Sequence, residues 1–236
     1  MNGGEDMKYY TSDLHLFHPG LAKIRGFKME ERMDLFSFLK PEDELYILGD
    51  VGYGYKTAET VKEVTRLLGK VRCRKHLIVG NHDAGYLEDR HFRKAFVSIK
   101  EHMLLHDEGH DLYLSHYPLV EWDGYYKGRW LFYGHLHEKP TRGPGLLMDL
   151  VPTAVNVGID FLGRPMTAEE IIAKRRKEWR MPDIRLADAV FPKIDPSLLN
   201  GKKGIANELL EFAGVQEGSE PGSLSCPEKT GALDLL

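Results

Sequence analysis

The chain has 236 residues, which is long enough for one generous α/β domain or two small ones whose cores need no cross-links. Its 32 basic and 36 acidic side chains give a formal net charge of -4, which excludes a general electrostatic attraction to nucleic acid or to an anionic membrane. The two cysteines, Cys73 and Cys226, are too few and too distant to indicate a disulfide framework or a thiolate zinc site, and they favour a reducing compartment.

The first residues of the chain differ from a targeting segment. Residues 1–6 lack the basic and apolar regions of a signal peptide, and no apolar run approaches the length that crosses a bilayer. We therefore expect a soluble, cytoplasmic protein without a membrane partner. Nothing in the sequence indicates a particular oligomeric state.

Short apolar or β-branched runs that end abruptly in polar residues are typical of buried strands. Six such runs occur, at residues 8–11, 45–48, 77–79, 112–114, 130–133 and 155–157. Helices are predicted between the early runs, at residues 30–39 and at residues 57–68, the second ending at Gly69. Strands that alternate with helices indicate an α/β sheet with parallel segments.

The alternation of predicted strands and helices ends near residue 101. Apolar runs at residues 103–105 and 112–114 flank the polar segment 107–111, and this spacing predicts a hairpin. The second half is therefore expected to be richer in antiparallel strands. A mixed sheet, or two stacked sheets with helices outside, becomes the predicted architecture.

A last helix is predicted at residues 167–179, because Thr167 as the N-cap and Glu170 three residues later match a capping box. We expect this helix to complete a main domain of residues 1–181. Residues 182–236 are predicted to be a C-terminal extension with one short helix at residues 205–212 and a disordered tail.

Five polar clusters each come directly after a predicted strand. Ligand sites of open α/β sheets lie at the carboxyl ends of strands, so these clusters are expected to converge on one edge. The clusters offer carboxylate, amide and imidazole ligands without cysteine, which suits hard or borderline divalent ions. Each cluster alone is a weak indication, but the ordered set is a strong one. Its members are Asp13 and His15, Asp50, Asn81 with His82 and Asp83, His116, and His135 with His137.

The ordered motifs Asp-x-His, Gly-Asp, Gly-Asn-His-Asp, His and Gly-His-x-His resemble those of the calcineurin-like metallophosphoesterase superfamily, from about residue 7 to residue 158. The resemblance implies a four-layer α/β/β/α sandwich of two mixed sheets, with a dinuclear metal site at the strand ends. It implies that Asp50 bridges two ions and that His82 is the catalytic, non-ligand histidine. The other implied ligands are Asp13, His15 and His137 for one ion and Asn81, His116 and His135 for the other.

The residues beside the motifs narrow the subclass. Residues 49–54 lack the Asp-Arg-Gly of the phosphoprotein phosphatases, and Asp83 stands where those enzymes carry a glutamate. Residues 11–18 and 156–160 are more similar to small stand-alone bacterial and phage-type members, several of which hydrolyse phosphodiesters. We therefore favour a phosphodiesterase acting on a cyclic nucleotide or another small diester. A nuclease acting on nucleic acid, a phosphomonoesterase, and a non-catalytic interaction scaffold are the alternatives.

Two divalent ions are expected as cofactors. These ligands do not select one ion, so manganese is the first choice and iron, zinc, nickel and magnesium are alternatives. Two bridged ions would clamp phosphate oxygens and produce a bridging hydroxide that attacks phosphorus in line. No protein nucleophile is then required, and His82 would donate a proton to the leaving oxygen.

Three further side chains are predicted to contact the substrate. His18 could reach it at the site mouth, or cap the helix that begins after it at Pro19. Asp83 could orient His82, or cap the next helix. Arg25 could grip phosphate with two parallel hydrogen bonds, as could two other arginines, Arg129 and Arg142. Several aromatic residues near the motif loops could stack a nucleobase or simply pack; they are Tyr53, Tyr55, Trp122, Tyr125 and Tyr126.

Overall fold

The computed structural model describes residues 6–53, 57–137 and 146–180, which form two four-stranded β-sheets and the helices around them. The predicted helix at residues 205–212, the predicted tail and the boundary after residue 181 lie outside the described residues. No helix in the described ranges is long and apolar enough to span a membrane.

The first sheet contains four parallel strands in the order β1-β2-β3-β4. Helices connect its strands, as parallel pairing requires. One antiparallel bridge, between Tyr10 and Met166, extends its edge. Its elements are β1 (Lys8–Thr11), α1 (Pro19–Arg25), β2 (Glu44–Ile47), α2 (Ala58–Lys70), β3 (Arg74–Ile78), α3 (Arg90–Lys94) and β4 (Ser98–Lys100).

The second sheet has the order β5-β6-β7-β8 and carries the mixed pairing. The predicted hairpin is confirmed: β5 and β6 pair antiparallel around a turn in which Glu108 and Gly109 have φ values of 47° and 78°. The pairs β6–β7 and β7–β8 are parallel, so among the described strands of this sheet only the hairpin pairs antiparallel. The elements are β5 (His102–Asp107), β6 (His110–Ser115), β7 (Trp130–Tyr133), α4 (Leu146–Leu150), β8 (Ala154–Asn156), α5 (Ile159–Leu162) and α6 (Ala168–Glu178).

Three apolar clusters fill the spaces between four layers, which confirms the α/β/β/α architecture. Alternate strand residues face opposite sides, so Leu45 and Ile47 pack under α2 and α3 while Tyr46 and Leu48 pack between the sheets. In β7, Phe132 faces the space between the sheets, and its neighbours Leu131 and Tyr133 face α4. The sheets are therefore each covered on both faces, which leaves the strand ends as the place where polar groups gather.

The prediction of one helix at residues 30–39 is wrong. Two short 3-10 helices, Met29–Glu31 and Met33–Phe36, take its place. Arg32, with φ -111° and ψ 25°, interrupts the helical backbone between them. The Glu30 carboxylate also accepts a hydrogen bond from the distant Phe17 N–H at 3.1 Å. A tertiary contact thus replaces local helix formation.

The other two predicted helices are confirmed. In α2, the Thr57 hydroxyl caps the N-terminus by accepting from the Thr60 N–H, and the helix continues through Gly69 to Lys70. In α6, Thr167 and Glu170 form both hydrogen bonds of the capping box. These ends result from local hydrogen bonds, which explains why the sequence pattern predicts them.

Candidate metal centre

The seven predicted ligands lie in the loops after β1, β2, β3, β6 and β7, and the fold brings them to one edge of the sandwich. Donor atoms of six of these ligands, together with one of His82, fall into three groups whose members lie within 4.8 Å of one another. Asp13, His15 and His137 form one group, and Asp50, His116 and His135 form another. A third group, of His15, Asp50 and His82, joins them. The groups therefore lie side by side at one edge of the sandwich, and each could hold a cation.

The loops leave the strands through left-handed backbone conformations, which are unusual for residues other than glycine. The φ values are 59° for Asp13, 47° for His15, 55° for Asp50 and 71° for His135. Each costs about 1–3 kcal/mol and persists only where its surroundings hold it. Backbone hydrogen bonds provide part of that support, since the Asp13 N–H donates to the Gly49 carbonyl at 3.0 Å and the His15 N–H to the Asp50 carbonyl at 2.9 Å. The strain is concentrated on predicted metal ligands.

Two glycines allow the backbone to approach the carboxylates. A Cβ atom at Gly80 would overlap the Asp50 carboxylate, and one at Gly134 would overlap the Ser12 hydroxyl and the Asp13 carboxylate. Any larger residue at either position would push a predicted ligand out of place.

In the first group the donor atoms face one another at distances too long for hydrogen bonds. His15 Nε2 lies 3.8 Å from Asp13 Oδ1 and 3.4 Å from Asp50 Oδ2, and His137 Nε2 lies 3.8 Å from Asp13 Oδ1. Ligand atoms that each lie about 2.1 Å from a common ion are about 3–4 Å apart, so these spacings fit a cation between them.

His15 supplies an independent test of the fit. Its side chain is buried, and among the described residues neither ring nitrogen has a hydrogen-bond partner. Burial lowers its pKa, but the adjacent Asp13 and Asp50 carboxylates outweigh that effect and raise it. A buried nitrogen without a hydrogen-bond partner is costly, and a cation would satisfy Nε2, the nitrogen that faces the Asp13 and Asp50 carboxylates.

The second group is oriented by a backbone carbonyl. His116 Nδ1 lies 2.8 Å from the Leu48 carbonyl oxygen, which can only accept, so Nδ1 carries the proton. In the neutral ring, Nε2 then points its lone pair at Asn81 Oδ1, 2.9 Å away, and Asp50 Oδ2, 3.5 Å away. His135 Nδ1 lies 3.0 Å from the same Asn81 oxygen. Electron pairs that converge in this way suit a cation.

Asp50 lies between the two groups. Its Oδ2 atom is 3.4 Å from His15 Nε2 and 3.5 Å from His116 Nε2, while Oδ1 accepts from the His82 backbone N–H at 2.8 Å. Burial raises the pKa of this carboxyl, but the hydrogen bonds and the neighbouring histidines prevail and lower it to about 2. The same carboxylate oxygen therefore lies next to a histidine of each group.

His82 and His18 lie at the edge of the first group. Their ring centroids are 5.1 Å and 5.5 Å from that of His15. His18 also caps α1, because its Nδ1 accepts from the Leu21 N–H at 3.1 Å. Burial, together with the charges of neighbouring histidines, lowers its pKa. The two alternatives for His18, helix cap and site-edge residue, are therefore compatible.

Asp83 is placed where it cannot contact a substrate directly. Its fully buried carboxylate accepts from three backbone N–H groups, those of Gly80 at 2.8 Å, Asp50 at 2.9 Å and Val51 at 3.0 Å. Burial raises its pKa to about 6, although these hydrogen bonds act in the opposite direction. Asp83 therefore braces the loop of Asp50 against the loop of Asn81, with its carboxylate directed at the backbone.

We expect Asp83→Asn to destabilise the protein by about 1–3 kcal/mol, because the amide group would face a buried N–H donor with a second donor. For a chain of this size that corresponds to a fall in Tm of about 2–12 °C, measured by thermal unfolding of the metal-free protein. Asp89→Asn is the matched control, since the partly buried Asp89 caps α3 and asparagine caps helices equally well. Equal Tm values for the two variants would contradict the bracing role.

Arg25 is also placed differently from the prediction. Its side chain is 5% exposed and makes four hydrogen bonds: two to the Asp160 carboxylate, one to the Asp13 carbonyl and one to the Leu14 carbonyl. The guanidinium is thus hydrogen-bonded to the protein itself rather than directed at open space. The sequence pattern cannot reveal this, because Asp160 is 135 positions away.

Asp160 is a site residue that the sequence prediction missed. Its Oδ2 atom lies 3.1 Å from His137 Nδ1. Burial raises the pKa of Asp160, but His137 and Arg25 outweigh it and keep the pKa below its usual value. Asp160 lies four residues after the end of β8, so the same strand-end rule that selects the metal ligands could have found it.

The remaining predicted contacts divide between packing and surface. Trp122 is buried, and the partly buried Tyr125 packs against it edge to face. The Tyr53 ring lies 4.2 Å from that of His18, at the site edge. Tyr126 is exposed and Arg129 is paired with Asp123. Tyr55 and Arg142 lie outside the described residues.

Comparison with known proteins finds relatives in sequence and a neighbour in fold. The gene 66 protein of Mycobacterium phage L5 is 29% identical over 197 residues, which cover 69% of this chain and 91% of the phage protein. A probable cyclic nucleotide phosphodiesterase of Coxiella burnetii is 34% identical over 76 residues, 31% of this chain and 30% of that protein. The crystal structure of an Aquifex aeolicus protein of unknown function, 24% identical, has the same fold, with a TM-score of 0.56 over 72% of this chain and 100% of that one.

The family model for calcineurin-like phosphoesterases matches residues 9–135, which is more than half of the chain. The matched range begins in β1 and ends at His135, so it contains six of the seven predicted ligands. The chain belongs to the calcineurin-like phosphoesterase family.

Proposed function

We propose that this protein is a phosphodiesterase that holds two divalent ions, with manganese as the first choice, and acts on a small nucleotide-type diester. The family assigns it to the metal-dependent hydrolases of phosphoesters. The observation that carries the finer proposal is the position of Asp50 Oδ2, at 3.4 Å from His15 Nε2 and 3.5 Å from His116 Nε2. One carboxylate oxygen would then be a ligand of both ions, and each ion would have three further ligands from the other predicted residues.

Two bound divalent ions supply charge neutralisation on the phosphate and an activated water for in-line attack. The chain's own residues hold that chemistry in place. Asp13, His15 and His137 form one half of the cradle, and Asn81, His116 and His135 form the other, with Asp50 between them. His82, beside the first half, donates a proton to the leaving oxygen, a step worth about a hundred- to ten-thousand-fold in rate.

A diester is favoured over a monoester by charge. A phosphate monoester carries about two negative charges near neutral pH and a diester carries one, so a monoesterase gains more from a cationic side chain at the phosphate. Three arginines are predicted for that task. Arg25 is instead held by Asp160 and two carbonyls, and Arg129 is paired with Asp123, while Arg142 lies outside the described residues. The Coxiella burnetii relative is a probable cyclic nucleotide phosphodiesterase, which points in the same direction.

A groove beside the second half of the site has room for a nucleoside. Its volume is about 400 Å³, and it runs from Gly80 and Ser115, each next to a predicted ligand, past Tyr117 to His102 and Tyr113. The Tyr117 side chain is 44% exposed. Its ring centroid lies 5.0 Å from that of His116 and 4.8 Å from that of His135. An aromatic ring so placed could stack the base of a substrate whose phosphate lies at the ions.

A substrate panel tests the proposal. We expect the manganese-loaded protein to hydrolyse bis(p-nitrophenyl) phosphate at least about tenfold faster than p-nitrophenyl phosphate, a difference of about 1.4 kcal/mol in activation free energy. 2′,3′- and 3′,5′-cyclic nucleotides and single-stranded DNA complete the panel. Faster hydrolysis of the monoester would favour a phosphomonoesterase, preference for DNA a nuclease, and no hydrolysis a binding scaffold.

The Tyr117→Ala variant, assayed with the same substrates, tests whether the groove binds a base. Stacking of a base on an aromatic ring is worth about 1–3 kcal/mol, so KM for a cyclic nucleotide should rise about 5- to 150-fold. Tyr117→Phe, which retains the ring, is the matched control and should behave like the native protein. A ring-free diester such as glycerophosphoethanolamine should be unaffected. Equal losses on both substrates would refute a base subsite.

A further inference from the structure

An ion pair ties together loops that come from the two different sheets. Arg25 is the last residue of α1, which comes after the first-sheet loop of Asp13 and His15. Asp160 lies in α5, which comes after β8 of the second sheet. The Arg25 Nε atom lies 2.6 Å from Asp160 Oδ1, and Nη2 lies 2.8 Å from Oδ2, so the contact is bidentate.

On the Asp160 side, the pair orients a predicted ligand. A carboxylate accepts hydrogen bonds, so the contact of 3.1 Å between His137 Nδ1 and Asp160 Oδ2 places the imidazole proton on Nδ1. The lone pair of Nε2 is then left for the cation site, where it faces Asp13 Oδ1 at 3.8 Å. A carboxylate in this position fixes both the tautomer and the ring orientation of a metal-binding histidine.

On the Arg25 side, the pair holds the loop of the other two ligands. Nη1 donates to the Leu14 carbonyl at 2.9 Å, and Nη2 donates to the Asp13 carbonyl at 2.8 Å. These carbonyls belong to the segment in which Asp13 and His15 take left-handed φ values. One planar guanidinium therefore supports that backbone and Asp160 at once, a task that the single ammonium of lysine cannot perform.

We propose that Arg25 and Asp160 are a positioning pair for one of the two cation sites, the one formed by Asp13, His15 and His137. The other half of the centre has its own support, because His116 is oriented by the Leu48 carbonyl. The inference rests on the dinuclear centre proposed above, and it adds that the two ions depend on separate supports. Loss of the pair should therefore weaken one site selectively.

The test is metal binding by the purified full-length chain, measured without reference to activity. Metal content after dialysis against manganese should be about two ions per chain for the native protein and about one for Asp160→Ala and Arg25→Lys. Affinity at the weakened site, measured by titration calorimetry, should fall about 10- to 100-fold. Asp160→Asn should lie between native and Asp160→Ala, because its amide oxygen still accepts from His137.

Arg164→Ala is the matched control. Arg164 forms a comparable contact with the Glu170 carboxylate, 2.6 Å from Nη2 to Oε1, but supports no predicted ligand. It should keep both ions, and the Tm of each metal-free variant separates lost positioning from lost folding. Two ions at native affinity in Asp160→Ala or Asp160→Asn would overturn the proposal, as would equal loss of both ions. A native chain that binds fewer than two ions would instead refute the dinuclear centre.

Discussion

Replacement of Asp50 by asparagine is expected to remove metal and activity together. The native carboxylate is buried, ionised and placed between His15 and His116, so it neutralises part of the repulsion between two dications. Asparagine is of equal size but neutral. Loss of a supporting residue around a metal typically costs 10- to 100-fold in affinity or activity, so loss of a shared ligand should exceed about a hundredfold. The measurements are metal content and hydrolysis of bis(p-nitrophenyl) phosphate.

Asp107→Asn is the matched control for this variant. Asp107 is also a buried, paired carboxylate, accepting from Tyr10 Oη at 2.7 Å and Lys8 Nζ at 3.0 Å, but it belongs to β5 and to none of the cation groups. Replacement of the Asp107 carboxylate by a neutral amide should lower the stability of the protein and leave its metal content unchanged. Full activity in an Asp50→Asn protein with verified metal content would remove the proposed mechanism.

His82→Ala is expected to keep both ions and lose turnover. The backbone N–H of residue 82, which donates to Asp50 Oδ1 at 2.8 Å, survives the substitution, so the bridging carboxylate retains its support. Loss of a general acid should lower kcat by about a hundred- to ten-thousand-fold. The loss should be larger for an alkyl leaving group than for p-nitrophenolate, because a good leaving group needs little protonation.

His110→Ala serves as the control for His82→Ala. His110 is a histidine of the hairpin that contacts Glu169 at 3.0 Å and lies in none of the cation groups, so its loss should leave kcat unchanged. His82 does lie within 4.8 Å of donor atoms of His15 and Asp50. A fall in the metal content of His82→Ala would therefore identify His82 as a ligand and contradict its assignment as the proton donor.

Much of the architecture is encoded locally. The hairpin is determined by two apolar runs around a turn, and α6 by a capping box, so both could be predicted from a few adjacent residues. The convergence of the ligand motifs was predictable for a more general reason. Parallel strands present their carboxyl ends at one edge, so polar residues placed directly after several such strands meet without any further information.

Other features depend on contacts that no local pattern contains. The segment at residues 30–39 has a helical pattern, yet Glu30 bonds to Phe17 and the backbone breaks at Arg32. Arg25 is of the residue type that binds phosphate, but its guanidinium is hydrogen-bonded to Asp160, which is 135 positions away in the sequence.

The sequence by itself therefore determined where the strands end and which motifs follow them, because these depend on periodicity and on ordered residues, and the resemblance carried by the motifs implied the layer order and the family. The tertiary structure decided which charged side chains remain for a substrate. Asp83 and Arg25 both lie in or near the motifs, but buried partners satisfy them, and a buried charge is stable only with such partners. Side-chain pairing across the two sheets depends on their packing, which a linear pattern does not specify.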